Sequence, residues 1–158
     1  MGTFMQQLWE VLGEEFAGFA NFKPAVQLIY RLLMATFLGG LLGFERQYRG
    51  KQAGLRTHML VALGTCLFIV ATRAVTDIDR IVAGVITGVG FLGAGAIYKL
   101  QERKEIEGLT TAAGIWLAAA VGTAVAVGQT PAAIVGTILG LIVLEALMRL
   151  EQSLHFQN

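Results

Sequence analysis

The polar side chains best suited to chemistry gather at the ends of apolar runs, above all in residues 41–60. This stretch reads LLGFERQYRGKQAGLRTHML and carries four Lys and Arg side chains against one acid, Glu45. Arg56 precedes a predicted helix start, where exposed backbone N–H groups attract a phosphate, a lipid headgroup or a partner carboxylate. The alternative is that these residues anchor helix ends and satisfy Glu45 internally. The candidate ligand-binding or partner-binding residues of the chain are Glu45, Arg46, Arg56, Thr57, His58, Asp79, Arg80, Thr110 and Thr111.

Motifs for catalysis or for a structural metal site are missing from the sequence. His58 has no nucleophile beside it, and the chain contains neither HExxH nor a Walker loop. The single cysteine, Cys66, excludes an intramolecular disulfide and a CxxC site. Residues 88–93 match GxGxxG, but they lie in an apolar run without a strand–turn–helix context, so we reject dinucleotide binding. We therefore expect no enzyme, no cofactor and no bound metal.

Two further charged pairs flank the apolar runs, and each allows two interpretations. Asp79 and Arg80 either cap a helix, with Asp79 as the N-cap, or contact a cation. Glu145 and Arg149 stand four residues apart, which is a pairing distance on a helix. They form either an interfacial pair that reaches the membrane surface or a proton or ion relay.

The composition indicates an all-α membrane protein. The chain has 158 residues, of which 55% are hydrophobic and 15% charged, with a net charge of +1. Soluble domains carry about 25% charged residues, and so small a net charge gives no general basic field for nucleic acid. Apolar runs of ~20 residues cross a ~30 Å hydrocarbon core. About five transmembrane helices are predicted, at 25–44, 57–75, 80–98, 109–127 and 132–150.

The predicted transmembrane domain, residues 25–150, has a short segment on each side. Apolar side chains in residues 2–20 recur at helical spacing, which predicts an amphipathic helix in the membrane interface with Trp9 at headgroup level. Pro24 is expected to separate this helix and its linker, residues 1–24, from the first span. Residues 151–158 form a polar tail.

Glycines mark the predicted contacts between helices, because small residues let two backbones approach closely. Such faces also predict self-association, and symmetry favours a dimer. The predicted packing residues are Gly39, Gly43, Gly84, Gly88, Gly90, Gly93 and Gly95.

A weak internal repeat organises the predicted helices. The tetrapeptide GLRT at 54–57 opens the second span, and GLTT at 108–111 opens the fourth. These matches predict two parallel helical hairpins followed by a fifth helix, an arrangement in which a site can lie between the repeats. Chance recurrence of small residues is the alternative.

Basic residues set the predicted orientation. Loops 45–56 and 99–107 lie on one side of the five spans, and the positive-inside rule makes that side cytoplasmic. The N-terminus is then outside and the C-terminus inside. Clustered cations at the membrane surface also predict contact with lipid headgroups, by Arg46, Arg49 and Lys51.

Four ordered motifs resemble the MgtC/SapB family of bacterial inner-membrane proteins, and the resemblance covers about residues 26–148. The motifs are GFER at 43–46, AGLRTH at 53–58, GVGFLGAG at 88–95 and GLTTAA at 108–113. The resemblance implies a multi-pass protein linked to magnesium limitation, to survival in acidic or host environments and, in some members, to virulence.

The family resemblance also implies a mode of action. Well-studied members resemble non-enzymatic regulators of other membrane proteins, including the proton-translocating ATP synthase and a magnesium-transporting P-type ATPase. Many carry a soluble C-terminal domain of ACT-like fold, which we do not expect here. The alternative function is transport of magnesium, another ion or a small solute. Mid-span carboxylates for Mg²⁺ are lacking, but a broken helix around 88–95 could supply backbone carbonyls instead.

Overall fold

The structure is a computed structural model that describes residues 2–15, 21–72, 77–100 and 105–155. Within these residues the chain forms six helices and one antiparallel pair of short strands. The elements are α1 (Gly2–Glu15), α2 (Phe22–Tyr48), α3 (Leu55–Thr72), α4 (Ile78–Gly95), β1 (Tyr98–Leu100), β2 (Glu105–Glu107), α5 (Leu109–Ala126) and α6 (Thr130–His155).

The prediction of an all-α membrane protein is confirmed. Helices α2, α3, α4 and α5 are each long and apolar enough to cross a membrane, and α6 contains a shorter apolar part, Thr130–Ala146. Helix α6 continues to His155, so most of the predicted polar tail is helical. The end of the predicted N-terminal helix, residues 16–20, lies outside the described residues. Every described side chain of α1, residues 3–14, is exposed, in keeping with an interfacial helix.

Helix α2 begins three residues earlier than predicted, with Asn21 as its N-cap. Pro24 lies in the first turn, where a missing N–H removes no intrahelical hydrogen bond. The proline therefore belongs to the start of the span rather than to the break before it. At the other end, the helix closes with Arg49 N–H donating to the Glu45 carbonyl at 3.0 Å, and Gly50 turns the chain with φ of 66°.

Two predicted boundaries of α4 are wrong. Its N-cap is Asp77, whose carboxylate accepts a hydrogen bond from the N–H of Asp79 at 3.2 Å, so Asp79 is not the cap. The helix ends at Gly95 rather than near Tyr98, because the chain enters β1 there. Strand β1 pairs with β2 in the register Lys99↔Ile106. The predicted loop 99–107 therefore contains parts of two paired strands, and residues 101–104 lie outside the described residues.

Helix α5 occupies the centre of the bundle and contacts α2, α3, α4 and α6. Half of its 18 residues are buried, whereas α4 buries only Val89 and Gly93. Small residues let the neighbours of α5 come close. A side chain at Gly122 would overlap the carbonyl oxygen of Ala62 on α3.

The described parts of the connections α2–α3 and α4–α5 lie at one end of the bundle, which we call the basic end (residues 45–58, 96–100 and 105–111). The connection α5–α6 lies at the opposite end. There Arg31 of α2 donates from Nη1 to the carbonyl of Ala126 at 3.1 Å. A cation at the last turn of α5 satisfies a carbonyl that has no intrahelical partner and complements the helix dipole.

Candidate functional site

Arg46 is the buried centre of the basic end. The last turn of α2 carries it, and only 4% of the residue is exposed. Its Nη2 donates to Oγ1 of Thr111, in the first turn of α5, at 3.1 Å. Its Nε is also buried and has no hydrogen-bond partner among the described residues. Arg46 therefore joins the C-terminus of α2 to the N-terminus of α5. Its Nε–H is a donor without an acceptor among the described residues.

Glu45 lies beside Arg46 and has a different partner. Both of its carboxylate oxygens are buried without a hydrogen bond in the described part of the chain. The nearest cation is Arg49, whose Nε lies 3.7 Å from Oε1. Arg49 also forms a hydrogen-bonded ion pair with Glu145 of α6, and this bond raises the pKa of Arg49. Arg49 thus stays charged and links α2 to α6.

His58 is completely buried between helices. Its Nδ1 lies 3.0 Å from the carbonyl oxygen of Gly54. A carbonyl only accepts, so Nδ1 is the donor in this contact. The Nε2 atom is buried without a partner among the described residues, and an ideal Cβ at Gly114 of α5 would lie 3.0 Å from it. The imidazole of His58 fills the contact between α3 and α5.

The other candidate residues separate into two groups. Arg56, Thr57 and Thr110 are exposed at the basic end. Asp79 and Arg80 are exposed in the first turn of α4, at the opposite end of the bundle. The structure therefore brings Arg46, Thr110 and Thr111 together and leaves the Asp79 pair far from them.

A polar cavity of about 470 Å³ opens at the basic end. It lies between the loop after α2 and the start of α5. Gly108 precedes α5 with φ of 93°, and a side chain there would overlap the carbonyl oxygen of Ala96. The cavity was not predicted, although a glycine directly before an apolar helix is a signal for such a tight entry. Its lining residues are Arg46, Gly50, Lys51, Gln52, Ile106, Glu107, Gly108, Leu109, Thr110 and Thr111.

The region proposed to supply carbonyl ligands for an ion does not have the expected form. Helix α4 is continuous from Ile78 to Gly95, so its backbone carbonyls are engaged in helical hydrogen bonds. No group of three or more His, Cys, Asp or Glu side chains that could hold a metal occurs in the described part of the chain. The structure therefore lacks the broken helix around 88–95 that the transport alternative could have used.

The glycines predicted to pack divide between the core and the surface. Ideal Cβ atoms at Gly39 and Gly43 would lie 2.7 Å from atoms of α3, and one at Gly93 would lie 3.6 Å from Ala112. The remaining four have no described neighbour within 4 Å of such an atom. They are Gly84, Gly88, Gly90 and Gly95.

This fold and site define a multi-pass, all-α membrane protein with a buried arginine at a cluster of helix ends. The chain belongs to the MgtC family, whose model matches residues 32–153. It is 41% identical over 143 residues to YhiD of Escherichia coli K12, and the aligned region covers 84% of this chain and 66% of YhiD. It is 44% identical over 139 residues to Protein MgtC of Brucella abortus, covering 85% and 57% of the two chains.

The relatives differ in how much of their length is matched. Protein SrpB of Synechococcus elongatus is 39% identical over 140 residues, which cover 79% of this chain and 77% of SrpB. The chain covers less than two thirds of YhiD and of Brucella MgtC. No solved structure matches this chain.

Proposed function

We propose that this protein is a non-enzymatic regulator of other membrane proteins in the bacterial inner membrane. It acts in magnesium homeostasis or in adaptation to stress and to a host. Membership of the MgtC family supports the connection with magnesium. The observation that carries the regulatory proposal is the exposed glycine face of α4, which suits contact with the helix of a partner.

Three glycines of this face lie on one side of α4. Gly84, Gly88 and Gly95 are separated by four and seven residues, so they form a stripe along the helix. None would place a Cβ within 4 Å of a described neighbour. Within lipid, helices associate through close packing of small residues rather than through the hydrophobic effect. A stripe without a neighbour among the described residues is therefore available to another helix.

The stripe borders a groove of suitable shape. Gly84 and Gly88 line an apolar groove of about 560 Å³ between α3 and α4, and Gly64 lines its α3 wall. A partner helix seated there would contact backbone on both sides. The occupant that we propose is a transmembrane helix of the ATP synthase or of a P-type ATPase.

Purification from native membranes with gentle extraction tests the regulatory function. Wild-type protein should retain subunits of the ATP synthase or of a P-type ATPase in stoichiometric amounts. Gly88→Leu should lose them, because its side chain fills the groove. Gly136→Leu is the matched control, since Gly136 is also a helical glycine with no described neighbour within 4 Å of an added Cβ.

Three results would contradict this proposal. One is the absence of a stoichiometric partner in the wild type, and another is loss of the partner from both variants alike. The third is recovery of a second copy of this chain alone, with the dimer abolished by Gly88→Leu, which would assign the groove to self-association.

Transport of magnesium or of another solute is the second candidate function. It is favoured by YhiD, whose provisional designation is a magnesium transporter. Magnesium flux into proteoliposomes tests it, with Asp79→Ala and Arg56→Ala beside the wild type. Flux that falls in the variants would support transport. If folded and inserted protein gave no flux, transport would be rejected and regulation would remain as the proposed function.

A further inference from the structure

We propose that the polar cavity at the basic end binds a phosphate group, held by Arg46, Lys51 and the backbone N–H groups that open α5. The phosphate belongs either to a soluble phosphate compound or to a lipid headgroup. This inference goes beyond the proposed regulatory function and does not depend on it, because the groove between α3 and α4 is a separate surface.

Arg46 is the first reason for a ligand. A guanidinium has five N–H donors and carries its charge at any physiological pH. Arg46 is 4% exposed, lines the cavity, and has one described hydrogen bond, to Thr111. Its Nε is buried without an acceptor in the described residues. A buried charged donor without an acceptor is costly, and a phosphate oxygen is one of the acceptors that arginine binds most strongly.

The start of α5 is the second reason. The first residues of a helix have N–H groups without intrahelical acceptors. The first intrahelical bond of α5 runs from Ala112 N–H to the Gly108 carbonyl at 2.8 Å, so the preceding N–H groups need other partners. Gly108 has no side chain to cap them, whereas Asp77 caps α4. Gly108, Leu109, Thr110 and Thr111 all line the cavity.

Thr111 connects these two features. Its Oγ1 accepts the hydrogen bond of Arg46, so its own hydroxyl hydrogen remains to donate to another group. Thr110 adds a second hydroxyl at the mouth of the cavity, where it is exposed. The site thus combines a buried cation, uncapped helix amides and hydroxyl donors, which together suit a tetrahedral oxyanion.

Charge and size are also appropriate for a phosphate. Among the described lining residues, Arg46 and Lys51 face one carboxylate, that of Glu107, and the helix N-terminus adds about half a positive charge. The carboxylate of Glu45 does not line the cavity, and Arg49 lies beside it. A volume of about 470 Å³ leaves room for an organic group attached to the phosphate.

Binding measurements with the purified protein test this inference. Inorganic phosphate and glycerol phosphate serve as soluble probes, and vesicles with or without phosphatidylglycerol serve as lipid probes. We expect saturable binding of at least one phosphate probe. Arg46→Gln should weaken it at least tenfold and Lys51→Gln about threefold to tenfold, because each removes one cation from the phosphate. Lys23→Gln, which removes an exposed cation outside the basic end, should change it less than twofold.

Arg46→Lys guards against a variant that fails to fold, since it keeps the charge but loses the planar pair of donors. Circular dichroism and monodispersity establish folding, and Lys51→Gln stands outside the core. Binding of the soluble probes assigns a soluble phosphate compound, and binding of the vesicles alone assigns a headgroup. The proposal is overturned if no probe binds saturably, or if Lys23→Gln weakens binding as much as Lys51→Gln does.

Discussion

At the residue scale, the burial of the His58 imidazole requires glycines on the two neighbouring helices. An ideal Cβ at Gly43 of α2 would lie 2.9 Å from the Cβ of His58, and one at Gly114 of α5 would lie 3.0 Å from its Nε2. Glycines on two helices therefore leave the space in which the imidazole of a third is buried. A mutation at either glycine should act through packing, because interiors are dense and transmit strain.

Gly43→Ala should destabilise the protein by about 1–3 kcal/mol, the usual result of overpacking a core. The added methyl group would lie 2.7 Å from the Cα of Leu55 and 2.8 Å from the Gly54 carbonyl oxygen, and backbone cannot move aside. Gly40→Ala is the control in the same helix, because its nearest neighbour is the flexible Met59 side chain at 3.4 Å. Thermal unfolding in detergent measures both. Equal stabilities would contradict the packing seen here.

Thr111→Val should cost about 1–3 kcal/mol, because it removes the described acceptor of a buried guanidinium. Thr111→Ser keeps the hydroxyl and should recover most of the loss. Thr110→Val is the control, since Thr110 is exposed and adjacent. The free energy of unfolding in a denaturant series reports all three variants. If Thr110→Val lowered the free energy of unfolding more than Thr111→Val did, the hydrogen bond between Arg46 and Thr111 would be contradicted.

The sequence identifies Arg46, Thr110 and Thr111 as candidates but does not rank them. Successive helical residues point about 100° apart, so one residue decides between burial and exposure. The contacts of α2 with α5 make that choice, and they are not local in sequence. Arg46 and Arg49 differ in their partners for the same reason. Arg46 is buried against Thr111, and Arg49 pairs with Glu145. Composition and spacing carry no information on these partners.

At the element scale, apolar length predicts the spans well, and local chemistry predicts their ends less well. The start of α5 at Leu109 agrees with the prediction. The errors are at Pro24, Asp79 and Tyr98, where a proline fits inside a first turn, an earlier aspartate caps, and a short hairpin replaces the last turn of a helix. Each depends on hydrogen bonds between neighbouring backbone groups, which apolar periodicity does not report.

Alanine substitutions at two glycines with positive φ distinguish the cost of backbone strain from the cost of steric overlap. Gly50 has φ of 66° and open space around an added Cβ, so Gly50→Ala should cost only the conformational term, about 1–2 kcal/mol. Gly108 has φ of 93°, and an added Cβ would also overlap the Ala96 carbonyl oxygen, so Gly108→Ala should cost more than Gly50→Ala. Thermal unfolding compares the pair. A smaller loss for Gly108→Ala would mean that the entry to α5 is not held as described.

At the scale of the whole molecule, the α2–α3 connection and the α4–α5 connection meet at the basic end. The polar cavity lies between them, so neither connection forms it alone. Loop residues 50–52 supply one wall, and residues 106–111 supply the other. The related tetrapeptides at 54–57 and 108–111 both open helices at this end, but only the second faces the cavity. The repeat hypothesis thus places related segments together without predicting which one lines the cavity.

The side of the membrane on which this cavity opens can be tested with two cysteines in a Cys66→Ala background. Gln52→Cys places a thiol at the basic end, and Gln129→Cys places one at the opposite end; both positions are exposed. The excess of Lys and Arg near loop 45–56 predicts that the basic end is cytoplasmic. A membrane-impermeant maleimide should therefore label Gln129→Cys in intact spheroplasts and Gln52→Cys only after permeabilisation.

The reverse labelling pattern would invert the predicted orientation, and labelling of both cysteines in intact spheroplasts would exclude a single orientation. The consequence reaches the proposed phosphate site. With the basic end inside, Arg46 and Lys51 meet cytoplasmic phosphate compounds and the inner leaflet, where anionic headgroups attract basic segments by about 1 kcal/mol per charge near the surface. With the basic end outside, the same cavity would sample periplasmic phosphate, and the vesicle and soluble probes would then represent ligands of that compartment.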